Sequence, residues 1–146
     1  MASSSDKFTH GKCLCGAIEI KATGDFKASV ACSCKNCQSC SGSAFSVNFA
    51  YPKDTVTIAK GHDDVRTYED KNTDSGKTVL RRFCGRCGSA IYSEAEAGIF
   101  VKAPMMEGVS MCSLRPTSSL ETSRVVSGYV VAAQSYTVQG KSKKEI

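Results

Sequence analysis

Tryptophan is absent from the 146-residue chain, which carries six Phe and five Tyr. A chain of this length has room for one domain and one modest core, and without the largest aromatic that core is thin. Covalent or metal staples are the usual remedy for a thin core. Long apolar runs are also missing, which excludes a membrane-spanning helix. The opening Met1-Ala2-Ser3-Ser4-Ser5-Asp6-Lys7 has no apolar stretch of the kind that directs secretion. The expected home is therefore the cytoplasm, where thiols stay reduced and disulfides are rare. No segment keeps a three-to-four apolar spacing over three turns, so long amphipathic helices are not expected. The net charge of +5 is scattered rather than drawn into a basic stripe interleaved with aromatics, so nucleic acid is not an expected partner.

Cysteine is what the chain has in abundance, with nine in all. Seven fall into three tight clusters: Cys13-Leu14-Cys15, Cys32-Ser33-Cys34-Lys35-Asn36-Cys37 and Cys84-Gly85-Arg86-Cys87. Cys-x-Cys and Cys-x-x-Cys spacings let two thiolates on one turn grip one ion, and an all-sulfur donor set points to zinc. The odd total also speaks against a complete disulfide framework. Cys13, Cys15, Cys84 and Cys87 make two clips, enough for a closed four-thiolate structural site. In each, a glycine follows the second cysteine (Gly16, Gly88) and lets the backbone curl so that amides face the sulfurs. Cys32, Cys34 and Cys37 supply three thiolates from one short loop. Three protein ligands leave a coordination position open, the mark of a reactive zinc. Cys40 lies three residues on and is an alternative fourth ligand that would close this site. Cys112 stands alone and fits a small buried apolar side chain.

Period-two alternation recurs in short pieces. Strands are expected at 17–21, 45–49, 55–58, 65–68, 78–83, 90–93 and 99–101, with a last one within 125–131. Turn residues separate them, as in Lys60-Gly61-His62-Asp63 and Asn72-Thr73-Asp74-Ser75-Gly76. The expected fold class is all-β: a single antiparallel domain, sandwich-like or tent-like, stapled by zinc. A disordered leader is expected over residues 1–8, the zinc-binding domain over 9–137 and a flexible basic tail over 138–146.

The order Gly11-Lys12-Cys13-Leu14-Cys15-Gly16, Cys32-Ser33-Cys34-Lys35-Asn36-Cys37 with Ser41-Gly42, and Arg82-Phe83-Cys84-Gly85-Arg86-Cys87-Gly88-Ser89 resembles the glutathione-dependent formaldehyde-activating enzyme family, which also includes centromere-protein-V domains. The resemblance spans Thr9 to Pro116. It implies a β-tent fold with two zinc ions, a structural one on Cys13, Cys15, Cys84 and Cys87 and a catalytic one on Cys32, Cys34 and Cys37. The activity it implies joins glutathione to formaldehyde as S-hydroxymethylglutathione; in reverse it is a carbon–sulfur lyase. Ser33 stands where many relatives have His, Cys40 where a small non-ligand is common, and Ser113-Leu114-Arg115-Pro116 lacks an acidic pair. None of these departures removes an implied zinc ligand. They leave the electrophile open, formaldehyde or a larger one.

The expected chemistry is a carbon–sulfur bond made or broken in a glutathione adduct, with zinc holding the sulfur as thiolate. Lys35, Arg81, Arg82 and Arg115 are candidates for the carboxylates of glutathione. His62 and His10 are weak candidates for general acid–base work. Tyr51, Tyr68 and Tyr92 are candidate donors to an oxyanion that also fit as ordinary strand aromatics. The alternative is a non-catalytic module with both zincs closed that docks a protein or chromatin. Exposed strand edges make a homodimer a further expectation.

Overall fold

The computed structural model describes residues 8–109 and 118–120. Ten strands, one short α-helix and three single-turn 3-10 helices are formed by the described residues: β1 Phe8–Lys12, β2 Glu19–Thr23, β3 Ala28–Cys32, α1 Lys35–Ser41, β4 Ser46–Tyr51, β5 Val56–Lys60, β6 Val65–Asp70, β7 Val79–Cys84, β8 Ala90–Ala95, β9 Gly98–Lys102 and β10 Ser118–Leu120, with the 3-10 turns at Lys53–Thr55, His62–Asp64 and Ala103–Met105. They form two sheets, one ordered β1-β2-β5 and the other β10-β3-β4-β9-β8-β7-β6. Pairing is antiparallel except where β10 runs parallel to β3. The all-β class expected from alternation is what the chain adopts.

The two sheets enclose one apolar cluster. Ile20 and Ala22 of β2 meet Val47, Phe49 and Tyr51 of β4 and Ile99 and Val101 of β9, all buried. In a strand, side chains alternate between faces. In β4, Val47, Phe49 and Tyr51 enter this core while Ser46 and Asn48 are buried on the opposite face. A central strand buried on both faces, one apolar and one polar, makes the large sheet the floor of something other than the core. A bridge between Gly11 and Met106, and the Glu107 amide donating to the His10 carbonyl at 2.8 Å, join the small sheet to the chain leaving β9.

Four elements differ from expectation, and one is β10, since the sequence places no strand at Ser118–Leu120. β1 begins at Phe8 and takes in Thr9 and His10, because Phe8–Lys12 pairs residue for residue with Glu19–Thr23. β3 was not signalled, since Ala28-Ser29-Val30-Ala31-Cys32 is buried at four successive positions and does not alternate. The Cys32–Cys37 segment is not all loop: the chain turns into α1 at Lys35, capped by Gly42 in the left-handed conformation. At seven residues, α1 is too short to leave an apolar period in the sequence. The expected strand within 125–131, Cys112, Arg115 and the tail lie outside the described residues.

Candidate functional site

The first cysteine cluster ties the two sheets together. Cys13 and Cys15 lie in the turn from β1 to β2, Cys84 ends β7, and Cys87 lies in the turn to β8. Their four sulfurs lie within 4.8 Å of one another. Gly16 donates to the Cys13 carbonyl and Gly88 to the Cys84 carbonyl, each at 2.9 Å, and both glycines are left-handed at φ 71° and 73°. The curl aims an amide at sulfur, as Ile18 N–H meets Cys13 Sγ at 3.2 Å. Cys87 Sγ lies 3.2 Å from the Ser89 hydroxyl. That contact leads the effects that hold the Cys87 thiol down at about 5. Cys13 and Cys15 sulfurs are 3.6 Å apart, and Cys15 and Cys84 sulfurs 3.8 Å. A tetrahedral ion with metal–sulfur bonds of about 2.3 Å needs sulfurs about 3.8 Å apart, so four cysteines here fit zinc, whereas a disulfide needs about 2 Å.

The second cluster gathers Cys32 at the end of β3, Cys34 at the N-cap of α1 and Cys37 in its first turn, again within 4.8 Å. One helical turn brings Cys34 and Cys37 to the same side, and Cys37 N–H donates to Cys34 Sγ at 3.4 Å. Cys40 is exposed farther along α1 and its sulfur is not part of this group. The three thiols differ in acidity. A hydrogen bond from Cys32 holds Cys37 down at about 4 against the opposing effect of burial, with help from Ser46, Lys102 and Arg81. The same bond, and burial, push Cys32 up, and burial pushes Cys34 up. The three sulfurs are close enough to share one ion, and the soft donor set again fits zinc.

This cluster opens onto a cavity of about 670 Å³, while the first cluster does not line it. The floor is the polar face of the large sheet, set by register. Cys32 pairs with Ser46, Asn48 with Lys102, Phe100 with Ser93, and Ser93 with Arg81, so these side chains share one face across five strands. Val79, Ala95, Ala97 and Phe100 give the cavity an apolar wall, and Thr73, Ser75 and Lys77 of the β6–β7 connection border it. Lys77 pairs with Glu96 at its edge.

A buried ion pair holds α1 over this floor. Arg81 donates to Asp70 Oδ2 through Nε at 2.8 Å and lies 2.7 Å from it through Nη2. The Asn36 side-chain amide donates to both Asp70 oxygens at 2.9 Å, and Arg81 Nη1 reaches Cys37 Sγ at 3.9 Å. Burial alone would raise the Asp70 carboxyl, but the Asn36 and Arg81 hydrogen bonds and the Arg81 charge outweigh it and hold it low.

The structure thus brings together each of the two predicted cysteine sets and keeps them apart from each other. Arg81 borders the cavity, but its guanidinium is engaged by Asp70. Arg82 donates to Thr67 and pairs with Glu94, away from the cavity. Lys35, His62 and His10 are exposed and Tyr51 is in the core; none of these, nor Tyr68 or Tyr92, lines the cavity. Asn48, Ser93 and Lys102 were not signalled. Each is a polar residue in an otherwise strand-like run, and only pairing register assembles them.

A family model described as glutathione-dependent formaldehyde-activating enzyme matches residues 8–127. Among solved structures, the fold is similar to a Rhodobacter sphaeroides protein from a structural genomics programme. The TM-score is 0.61 at 19% identity, over 75% of this chain and 98% of that one. At that identity the likeness concerns the fold alone. No helix among the described residues is long and apolar enough to cross a membrane. With 120 of the 146 residues inside the family match, and with the cysteine motifs that define the resemblance gathered in space, the chain belongs to the glutathione-dependent formaldehyde-activating enzyme family.

Proposed function

We propose that this protein is a zinc-dependent carbon–sulfur lyase that makes or breaks the C–S bond of a glutathione adduct, S-hydroxymethylglutathione or a conjugate of a larger carbonyl compound. The observation that carries this reading is the trio of sulfurs opening onto a cavity, with the nearby Cys40 sulfur outside the trio. Cys13, Cys15, Cys84 and Cys87 would hold a structural ion, coupling the small sheet to the large one with a stabilisation of about 10 kcal/mol if binding and folding are linked. Cys32, Cys34 and Cys37 would hold the second ion. Bound there, zinc supplies a Lewis acid that favours the thiolate form of an incoming sulfur and makes a departing sulfur a better leaving group.

The chain's own groups do the rest. Arg81, fixed by Asp70, keeps a positive charge beside Cys37 and sets its position. Asn36 ties the first turn of α1 to β6, so that Cys34 and Cys37 stand on a rigid support. At about 670 Å³ the cavity falls in the range for small-molecule sites. Its apolar wall at Val79, Ala95 and Phe100 suits an electrophile carrying a hydrocarbon group rather than formaldehyde alone. The free thiols such a site needs point to a reducing compartment such as the cytoplasm.

The test is turnover. Zinc-loaded protein should accelerate formation and breakdown of S-hydroxymethylglutathione, and of adducts with larger aldehydes, measured by NMR exchange spectroscopy against the spontaneous rate. Cys34→Ser and Cys37→Ser should abolish the acceleration while the fold survives. A wild-type protein that holds two zinc ions and accelerates none of these adducts would instead be a zinc-stapled binding module.

A further inference from the structure

A buried lysine and a buried hydroxyl remain on the cavity floor after the cysteines and the Arg81–Asp70 pair are accounted for. Lys102 is 8% exposed and Ser93 is 6% exposed, and both line the cavity. Among the described residues, no carboxylate lies within ion-pair distance of Lys102, and its Nζ donates to Asn48 Oδ1 at 2.8 Å. An ammonium carries three N–H groups, so two remain. The Asn48 oxygen is held toward Lys102 because the Asn48 Nδ2 is engaged by Ser46 Oγ at 3.0 Å and by the Ser46 and Val30 carbonyls. The lysine is therefore aimed by a fixed acceptor.

Ser93 supplies the independent observation. Its Oγ is buried and finds no hydrogen-bond partner among the described residues. A buried polar atom without a partner is costly, and natural proteins keep few of them without a reason. Ser93 pairs with Phe100, and Lys102 lies two residues beyond Phe100 on the same face. That diagonal is within the reach of a long side chain. Charge balance for the cysteine trio explains a nearby cation. It does not explain a buried hydroxyl left without a partner on the same face.

We propose that Lys102 and Ser93 form an oxyanion subsite that takes the carbonyl or alkoxide oxygen of the electrophilic half of the adduct, an assignment that rests on the carbon–sulfur chemistry proposed above. In the forward direction the thiolate sulfur forms a bond to the carbonyl carbon, and the C=O π pair moves onto oxygen. The proton the thiol released ends on that oxygen through solvent, giving a hemithioacetal. In reverse the O–H proton leaves, the C=O bond re-forms and the C–S pair returns to sulfur. Lys102 and Ser93 donate to the oxygen in both directions, where negative charge develops. The substrate class is then hemithioacetals of aldehydes and ketones. Thioethers without an α-oxygen give the subsite nothing to bind.

The experiment uses the full-length, zinc-loaded chain with glutathione and formaldehyde, followed by NMR exchange spectroscopy, and with glutathione alone by calorimetry. Lys102→Met should lower kcat by about a hundred- to a thousand-fold, and Ser93→Ala by about ten-fold. Both should keep two zinc ions per chain and bind glutathione within about two-fold of wild type, because the subsite acts on the oxygen and not on the thiol. Unchanged kcat in both variants of an active wild type overturns the subsite and leaves the lyase standing. Weakened glutathione binding with kcat intact makes Lys102 a carboxylate holder and overturns it equally. If Lys102→Met loses zinc, Ser93→Ala decides, since it leaves every charge in place: a ten-fold fall in kcat supports the subsite, and none overturns it. A wild type without any acceleration removes both the lyase and the subsite.

Discussion

Replacing Asp70 by alanine breaks a buried ion pair from one side. The Asp70 side chain is 6% exposed and that of Arg81 10%, with two contacts between them at 2.7 and 2.8 Å. Removing one partner of such a pair strands the other charge, at a cost of about 3–5 kcal/mol. Two features favour the lower end: Arg81 keeps its contact with Cys37, and the cavity beside it can admit water. The Asn36 amide loses two acceptors at once, which adds a smaller term and loosens α1. The expected destabilisation is thus about 3 kcal/mol, or a urea midpoint lower by about 1–2 M. The chain has no tryptophan, so far-ultraviolet circular dichroism of the zinc-loaded protein is the suitable probe. Adding Arg81→Met to Asp70→Ala should recover part of the loss, because no cation is then left buried. A change below about 1 kcal/mol with zinc retained would put the pair on a par with surface pairs and refute its structural role.

Other outcomes follow from the same geometry. Because the native Asp70 carboxyl is held low, its contribution to stability is full above the unfolded value of about 3.9 and is lost as pH falls through the lower native value. Acid titration of stability should therefore be shallower in Asp70→Ala than in wild type. Cys84→Ser should lose the structural ion and unfold the domain, whereas Cys37→Ser should lose one ion of two and stay folded, by metal analysis and circular dichroism. Cys40→Ser should keep both ions, and Cys40 should alkylate in the zinc-loaded protein, since its sulfur is exposed and outside both clusters. A Cβ at Gly61 would lie 2.1 Å from the Ala17 carbonyl oxygen at φ +79°, whereas one at Gly16 meets nothing within 4 Å. Gly61→Ala should cost about 3 kcal/mol or more and Gly16→Ala about 1–2 kcal/mol, by thermal or urea unfolding.

The cysteine groupings were legible in the sequence because a Cys-x-Cys or Cys-x-x-Cys spacing holds its two sulfurs close whatever the rest of the fold does. Two clips plus a trio leave few ways to partition seven sulfurs, and the fold places them as those spacings require. The alternating strands were legible for the same local reason. β3 was not, because Val30, Ala31 and Cys32 are buried on both faces and carry no period. The cavity floor was illegible because it is a product of register: Asn48, Lys102, Ser93 and Arg81 come from four strands and meet only through pairing. The sequence offered Arg81 as a carboxylate binder, but a carboxylate of the chain itself, Asp70, holds it. Buried Lys and Ser in strand-like runs are the signal that points to such a floor, since strands rarely bury either without a partner.

The central claim is that the Cys32, Cys34 and Cys37 cluster leaves one position for an outside thiol. X-ray absorption at the zinc edge of fully loaded protein, before and after adding glutathione, tests it most directly. Four sulfurs at one ion and three at the other give an average of about three and a half, which should rise to four when glutathione is added. An average of four before any thiol is supplied, unchanged afterwards, would mean that the protein's own sulfur already fills the position, and the lyase would be ruled out.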